Sequence, residues 1–403
     1  MINAARKFMK NKLIKVIIIA TLQATMFCIA TTDYARAGEF LFAGFAFSGD
    51  GSQREDLYPW ASKFILEKNN SGVNVLDESL ASAMKDFSSA DISLKYEQSK
   101  DIRKGPSVTL AFALGSESVE EVKSKTDVIT IYRIMTRVLA FDWDNKQLLA
   151  SFPLQIVYQD KTDKSPNEQY KEEIFRKLYC DQDFEGNVFK LWRNKLEAIR
   201  IKDKYGLYFG VGDVIIGENA AKLLPTEYAN TNSYQTQVGQ LIESVLSSTH
   251  NISLIPYTSG EVIAANMALR FSNAAVLNLK VPKPDYKLNV VIANFKNSEI
   301  IEGNIKAIYA AAYIKLTVSI EVDDYKKVYF DNHLKHINSM IFLASEQVEI
   351  DYWQAYQTAL RTLLVEFSNQ INKKEQKVLA RMSPDKDLSD DMKELSKIMG
   401  KFK

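Results

Sequence analysis

The strongest constraint on the fold is a strand–turn–strand pattern that the chain carries twice. Residues Asp127–Asp160 read as two long β-strands joined at Asp142-Trp143-Asp144-Asn145, and Ile308–Leu334 repeats the arrangement around Val322-Asp323-Asp324-Tyr325. In the second stretch Ile314, Leu316, Val318, Ile320 and Val322 alternate with Tyr313, Lys315, Thr317, Ser319 and Glu321. A period of two with apolar residues on one side describes a sheet with one buried face. Asp at the connections favours tight turns, because its side chain hydrogen-bonds its own backbone.

The elements around each hairpin also recur in order. The expected fold class is therefore mixed α+β, with two tandem, duplicated units of order β-α-β-α-β-β-β-α, each a mixed sheet with helices packed on it. The first unit offers an aromatic strand at Glu39–Phe47, a helical stretch through Leu57, Trp60 and Phe64, a short strand at Val73–Leu76 and a helix at Asp77–Ser89. The apolar strand Val108–Leu114 precedes the hairpin. A capping box, Ser165-Pro166-Asn167-Glu168, then starts a helix that buries Tyr170, Ile174 and Leu178. Pro153 cannot donate to a ladder, so its strand should be an edge or carry a bulge there. The second unit repeats this with a strand at Tyr205–Phe209 and a glycine turn at Gly210, Gly212 and Gly217. A helix at Tyr234–Ser247, a strand at Ile252–Ile255, a helix from Ser259 to Phe271 and the strand Leu288–Phe295 follow, and a helix at Ser345–Ile371 closes the unit. The predicted boundaries are residues 38–200 and 205–371, with a charged tail over 372–403 that carries a short amphipathic helix.

Residues 1–37 are different material. Arg6, Lys7, Lys10, Lys12 and Lys15 precede a mostly apolar run from Val16 to Ala30, and Ala35-Arg36-Ala37 has the small-x-small form of a signal peptidase site. This predicts export to the periplasm with cleavage after Ala37 and no transmembrane span in the mature chain. Removing the six Lys/Arg and one Asp of that segment leaves 45 basic and 49 acidic residues, a net charge of −4. A nucleic-acid binder would show a basic excess, so that class is set aside. Cys180 is left without a partner for an internal disulfide, and stability must come from the core.

No cluster announces a chemistry. His333 and His336 are three apart, which places them on opposite faces of a strand, and no acidic or thiol cluster completes a metal site with them. Gly210-Val211-Gly212 lacks the spacing of a dinucleotide loop, and no P-loop or nucleophile elbow is present. Catalytic residues, cofactor and metal are accordingly expected to be none. Two features suit partner binding. Arg133 and Arg137 interrupt the apolar strand face of Met135, Leu139 and Phe141, which suggests a bulge or slipped register there. A pair of arginines recognises carboxylates, and a solvated strand face is the simpler account. In the tail Leu388, Met392, Leu395, Met399 and Phe402 fall at 4-3-4-3 spacing, one stripe of a helix that either docks a partner or folds back on its own domain.

The run Val138–Leu148, an apolar strand, Asp, turn and apolar return set among these elements, resembles the small α/β domain of bacterial envelope proteins. That domain occurs in the TolB N-terminal domain, the curli channel CsgG, LpoB and FlgT. Asn145 stands where that group has Gly, and the preceding strand lacks its Ala-Asp-Tyr signature. The resemblance implies a protein-binding scaffold and no catalytic residue. The expectation is a non-enzymatic scaffold or accessory subunit of an envelope machine for secretion, flagella, pili or cell-wall synthesis. Its partners would be envelope or outer-membrane-associated proteins, or a second copy of itself. A bilobed periplasmic solute-binding protein is the alternative.

Overall fold

The computed structural model describes residues 38–48, 54–89, 91–95, 108–123, 127–202, 205–228, 232–257, 266–272, 274–322, 325–345, 350–385 and 387–402. The predicted signal segment lies outside them. In chain order the elements are β1 (Gly38–Ser48), α1 (Arg54–Leu57), α2 (Ala61–Phe64), α3 (Val75–Met84), β2 (Ile92–Lys95), β3 (Val108–Lys123), β4 (Val128–Asp142), β5 (Gln147–Thr162), α4 (Glu168–Cys180) and α5 (Val188–Ala198). Then come β6 (Phe209–Ile216), α6 (Glu218–Ala221), α7 (Ser233–His250), β7 (Asn266–Phe271), β8 (Val276–Lys280), β9 (Tyr286–Glu302), β10 (Ile305–Val322), β11 (Tyr325–Leu343), α8 (Tyr352–Lys373), α9 (Gln376–Met382) and α10 (Leu388–Gly400).

The fold is mixed α+β with two mixed sheets. In the first, β1 pairs in parallel with β2 and β3, and β3, β4 and β5 form an antiparallel meander. In the second, β6 pairs in parallel with β9, and β9, β10 and β11 form the same kind of meander. Helices α2 to α5 cover one face of the first sheet around a core of Phe45, Phe112, Tyr132, Phe175 and Trp192. Helices α7 to α10 cover one face of the second around Leu288, Ile314, Leu316, Leu363 and Phe367.

Several local expectations change. Val73–Leu76 is not a strand: Val75 and Leu76 open α3, because Asn74 caps its N-terminus by accepting from the Asp77 N–H. Asn167, not Ser165, caps α4, accepting from the Tyr170 N–H. The strand expected at Tyr205–Phe209 begins only at Phe209, and Gly210 and Gly212 lie inside β6. Neither has a left-handed backbone. A Cβ at Gly212 would displace the Asn289 amide oxygen, which accepts from the Asp213 N–H.

The largest departure is the region expected as a helix from Ser259 to Phe271. Residues 258–265 lie outside the described set, and Asn266–Phe271 and Val276–Lys280 pair as the hairpin β7–β8. That hairpin leaves the second half of the chain and joins the first sheet. β7 pairs with β1 through Ala46–Phe271, Phe47–Arg270 and Ser48–Leu269. β8 reaches β5 at Gln147–Lys280. Together they enclose a small core of Ala111, Leu139, Phe141, Leu269 and Leu279. The Ile252–Ile255 segment ties the halves again, since the Leu254 N–H donates to the Ser151 carbonyl and the Ile255 N–H to the Phe209 carbonyl, each at 2.8 Å.

Candidate functional site

Successive β4 side chains point to opposite faces. Tyr132, Ile134 and Val138 enter the first core, while Arg133, Met135, Arg137 and Leu139 face the second half of the chain. Both arginines are buried there and are not on a solvated face. The β4–β5 ladder runs unbroken past them, its register shifting only between Ala140 and Phe141. On the other side β3 carries the expected bulge, its register with β4 shifting between Leu114 and Ser116, opposite Thr136 and Met135. Their carboxylate partners come from within the chain. Arg133 Nη1 lies 2.6 Å from Glu120 Oε2, an ion pair whose angle falls outside a hydrogen bond. Arg137 Nη2 donates to Glu243 Oε2 on α7 at 3.3 Å, and its Nη1 to Ser151 Oγ at 3.3 Å.

Helix α7 is the element between the layers. Its buried positions, Tyr234, Val238, Gly239, Leu241, Ile242, Ser244, Leu246 and Ser247 among them, run around more than one face, as in a helix packed from two directions. Glu243 accepts from the Tyr257 N–H as well as from Arg137, and burial pushes its carboxyl upward while Arg137 opposes the shift. At the end of α7, buried Lys195 donates to the Ser247 carbonyl at 3.1 Å and to Asn251 Oδ1 at 3.3 Å. Burial lowers this lysine to about 8. A cation on the last carbonyls of a helix satisfies acceptors the helix leaves open. Across the seam Arg361 of α8 donates to Gln155 Oε1 of β5. Sequence reasoning missed Glu243, Lys195 and Arg361. The one available signal was Glu243 inside Leu241-Ile242-Glu243-Ser244-Val245, a charge set among the apolar residues of the helix.

The tail stripe Leu388, Met392, Leu395, Met399 and Phe402 is buried in the second core. The Phe402 ring stacks edge-on against Phe209 and Tyr286, at 5.4 and 5.6 Å between centroids. The helix folds back on its own domain, so the stripe is not an open surface. His333 and His336 do lie on opposite faces of β11, and His336 Nδ1 meets Glu366 Oε2 at 3.0 Å. Cys180 is half-buried, and burial raises its thiol.

What remains open is the far end of the second sheet. β6 accompanies β9 only as far as Ile292. The row Glu299–Ile308–Met340 is the last whose central residue is fully buried. Beyond it Ile300, Ile301, Ile305, Ile341 and Leu343 are 54%, 62%, 52%, 70% and 50% exposed. Cross-strand pairing gathers Ile300, Ala307 and Ile341 into one row, with Ile305 and Leu343 beside it. The corresponding end of the first sheet carries charge instead, in the pairs Lys161–Asp127 and Lys171–Glu121. β11 is the terminal strand of its sheet among the described residues.

No group of three or more metal-ligating side chains occurs among the described residues, and no helix among them is long and apolar enough to cross a membrane. No family model matches the chain, and no curated protein matches it. Among solved structures it is similar to the hypothetical protein CT253 from Chlamydia trachomatis, with 15% identity and a TM-score of 0.26 over 41% of this chain and 96% of that one. An Ntf2-like protein involved in plasmid conjugation is matched at 11% identity and a TM-score of 0.11, over 60% of this chain and 80% of that one. At these scores neither likeness carries a fold or a function to this chain.

Proposed function

We propose that the protein is a non-enzymatic scaffold or accessory subunit of a cell-envelope machine, exported to the periplasm, and that it binds a partner protein by strand addition at β11. In this reading the chain is a tandem duplication whose second copy became the binding unit. The parallel start and antiparallel meander common to both sheets support that view. The observation that carries the proposal is the exposed apolar end of β9–β11 beside a free strand edge. Isolated apolar side chains are ordinary on a surface, but five large ones gathered at one sheet end mark an interaction site. The unpaired N–H and C=O groups of an edge strand favour another chain as the occupant, because lipid tails cannot satisfy them. The bilobed solute-binder reading needs halves free to close on each other. The hairpin on the first sheet and α7 between the layers argue against such a hinge.

The test is a crosslinked pulldown from native envelopes with protein tagged after Lys403, comparing the wild type with an Ile300→Lys, Ile341→Asp variant. Recovery of a stoichiometric set of envelope proteins that the variant loses is the expected result. Equal recovery by both, or no partner for the wild type, would sink the proposal.

A further inference from the structure

Helices α7 and α8 are tied at both ends. Tyr234 and Gln357 are hydrogen-bonded at one end, and His250 meets Ser368 and Asn372, each at 3.2 Å, at the other. Between the ties α7 presents Ser244, Ser248 and Thr249, side chains too small to fill the space to α8. A cleft of about 540 Å³ results, floored by Gln155 of β5 and walled on the α8 side by Arg361 and Asn369. Because contacts at both ends fix the spacing of the helices, the cleft is built into the fold and needs no opening motion.

Its floor is short of negative charge. Arg361 lies within the field of Arg133, and Glu120 is the one carboxylate acting on both. Arg133 is buried, and its Nε has no hydrogen-bond partner among the described residues. Two guanidiniums over one carboxylate leave a positive charge uncompensated in a partly dry site. Burial and the like charge together lower Arg361 to about 10, as expected for a cation lacking an anion.

We infer that this cleft binds a small solute through an oxyanion head, a carboxylate or a phosphate, held by Arg361 with the Ser248 and Thr249 hydroxyls and the Asn369 amide around it. The planar guanidinium presents parallel donors that match two oxygens of either head. The solute supplies the charge that the seam lacks. This site is separate from the β11 edge and does not depend on the scaffold reading.

Calorimetric titration of the mature chain, residues 38–403, with acetate, citrate and inorganic phosphate at constant ionic strength tests the inference. The expected result is saturable binding of at least one of them at one site per chain. Arg361→Gln should weaken that binding by roughly tenfold or more. Ser248→Leu, at an exposed helix position, should fill the cleft and abolish binding while leaving the guanidinium in place. Citrate or acetate binding without phosphate identifies a carboxylate ligand, and the reverse identifies a phosphate. Absence of saturable binding by all three, or unchanged affinity in Ser248→Leu, overturns the site. Should Arg361→Gln fail to fold, Ser248→Leu decides alone.

Discussion

Arg137 of β4 and Glu243 of α7 stand 3.3 Å apart, with side chains 4% and 0% exposed, and their pairing joins the two halves of the chain. A buried ion pair adds little over a well-packed apolar pair, but removing one partner strands the other charge in a dry site. Arg137→Ala should therefore cost about 3–5 kcal/mol, whereas Arg137→Met with Glu243→Leu should recover most of that loss. Chemical denaturation of the three proteins checks this. A loss below about 1 kcal/mol for Arg137→Ala would mean that the pair does not hold the seam.

Glu117 makes stability depend on pH in an unusual direction. Its carboxylate is fully buried and accepts from the Trp60 and Ala61 N–H groups and the Tyr179 hydroxyl, with no cation among these partners. Burial lifts it from its ordinary 4.5 to about 7. The folded chain then keeps a proton that the unfolded chain has released. Stability from this group is greatest below pH 4.5, falls as pH rises toward 7, and is level above. At about 1.4 kcal/mol per pH unit the decline amounts to roughly 3.5 kcal/mol. Denaturant midpoints measured across that window should fall less steeply for Glu117→Gln than for the wild type. Parallel curves would refute the assignment.

Much of the architecture was legible in local pattern, and what was missed depended on distant partners. The period-two alternation of Ile314 to Val322 placed β10 and its buried face because alternation is a property of the strand itself. Arg133 and Arg137 were misread because a strand's sequence does not say whether a second domain covers its outer face. The hairpin β7–β8 was missed although the large apolar residues Met267, Leu269 and Phe271 alternate with Asn266, Ala268 and Arg270. Short apolar runs suit helix and strand alike, and the strand that settles the matter, β1, lies more than two hundred positions earlier. The tail stripe was recognised as amphipathic, but periodicity alone cannot say whose core it enters. The cleft is still less visible, since it arises from small residues on α7 facing a stripe of α8.

Gly239 tests how tightly α7 is held. Alanine is the better helix former by about 1 kcal/mol, so an exposed helical glycine would gain from the change. Here a Cβ would overlap the Tyr257 ring, and Tyr257 is itself fixed by its N–H bond to Glu243. Overpacking costs about 1–3 kcal/mol and should win. Gly239→Ala is expected to unfold at a lower temperature than the wild type. A rise in Tm would show that the Tyr257 segment yields readily.

The C-terminal helix offers the sharpest separation of folding from binding. Leu395 is fully buried, and Asp391 on the same helix accepts from Asn332 Nδ2 at 2.6 Å, so α10 is joined to β11 by both core and hydrogen bond. Leu395→Ala should cost about 2–5 kcal/mol, from lost burial and from the cavity it leaves. Lys397→Ala, on the exposed side of the same helix, should stay within about 0.5 kcal/mol of the wild type. A helix that detached to dock elsewhere would behave differently: Leu395→Ala would leave the denaturation curve unmoved and abolish partner capture. Because α10 also covers the inner face of β11, its loss should loosen the strand whose outer edge is proposed to bind. Hydrogen exchange along residues 325–343 should therefore quicken in Leu395→Ala and remain slow in Lys397→Ala.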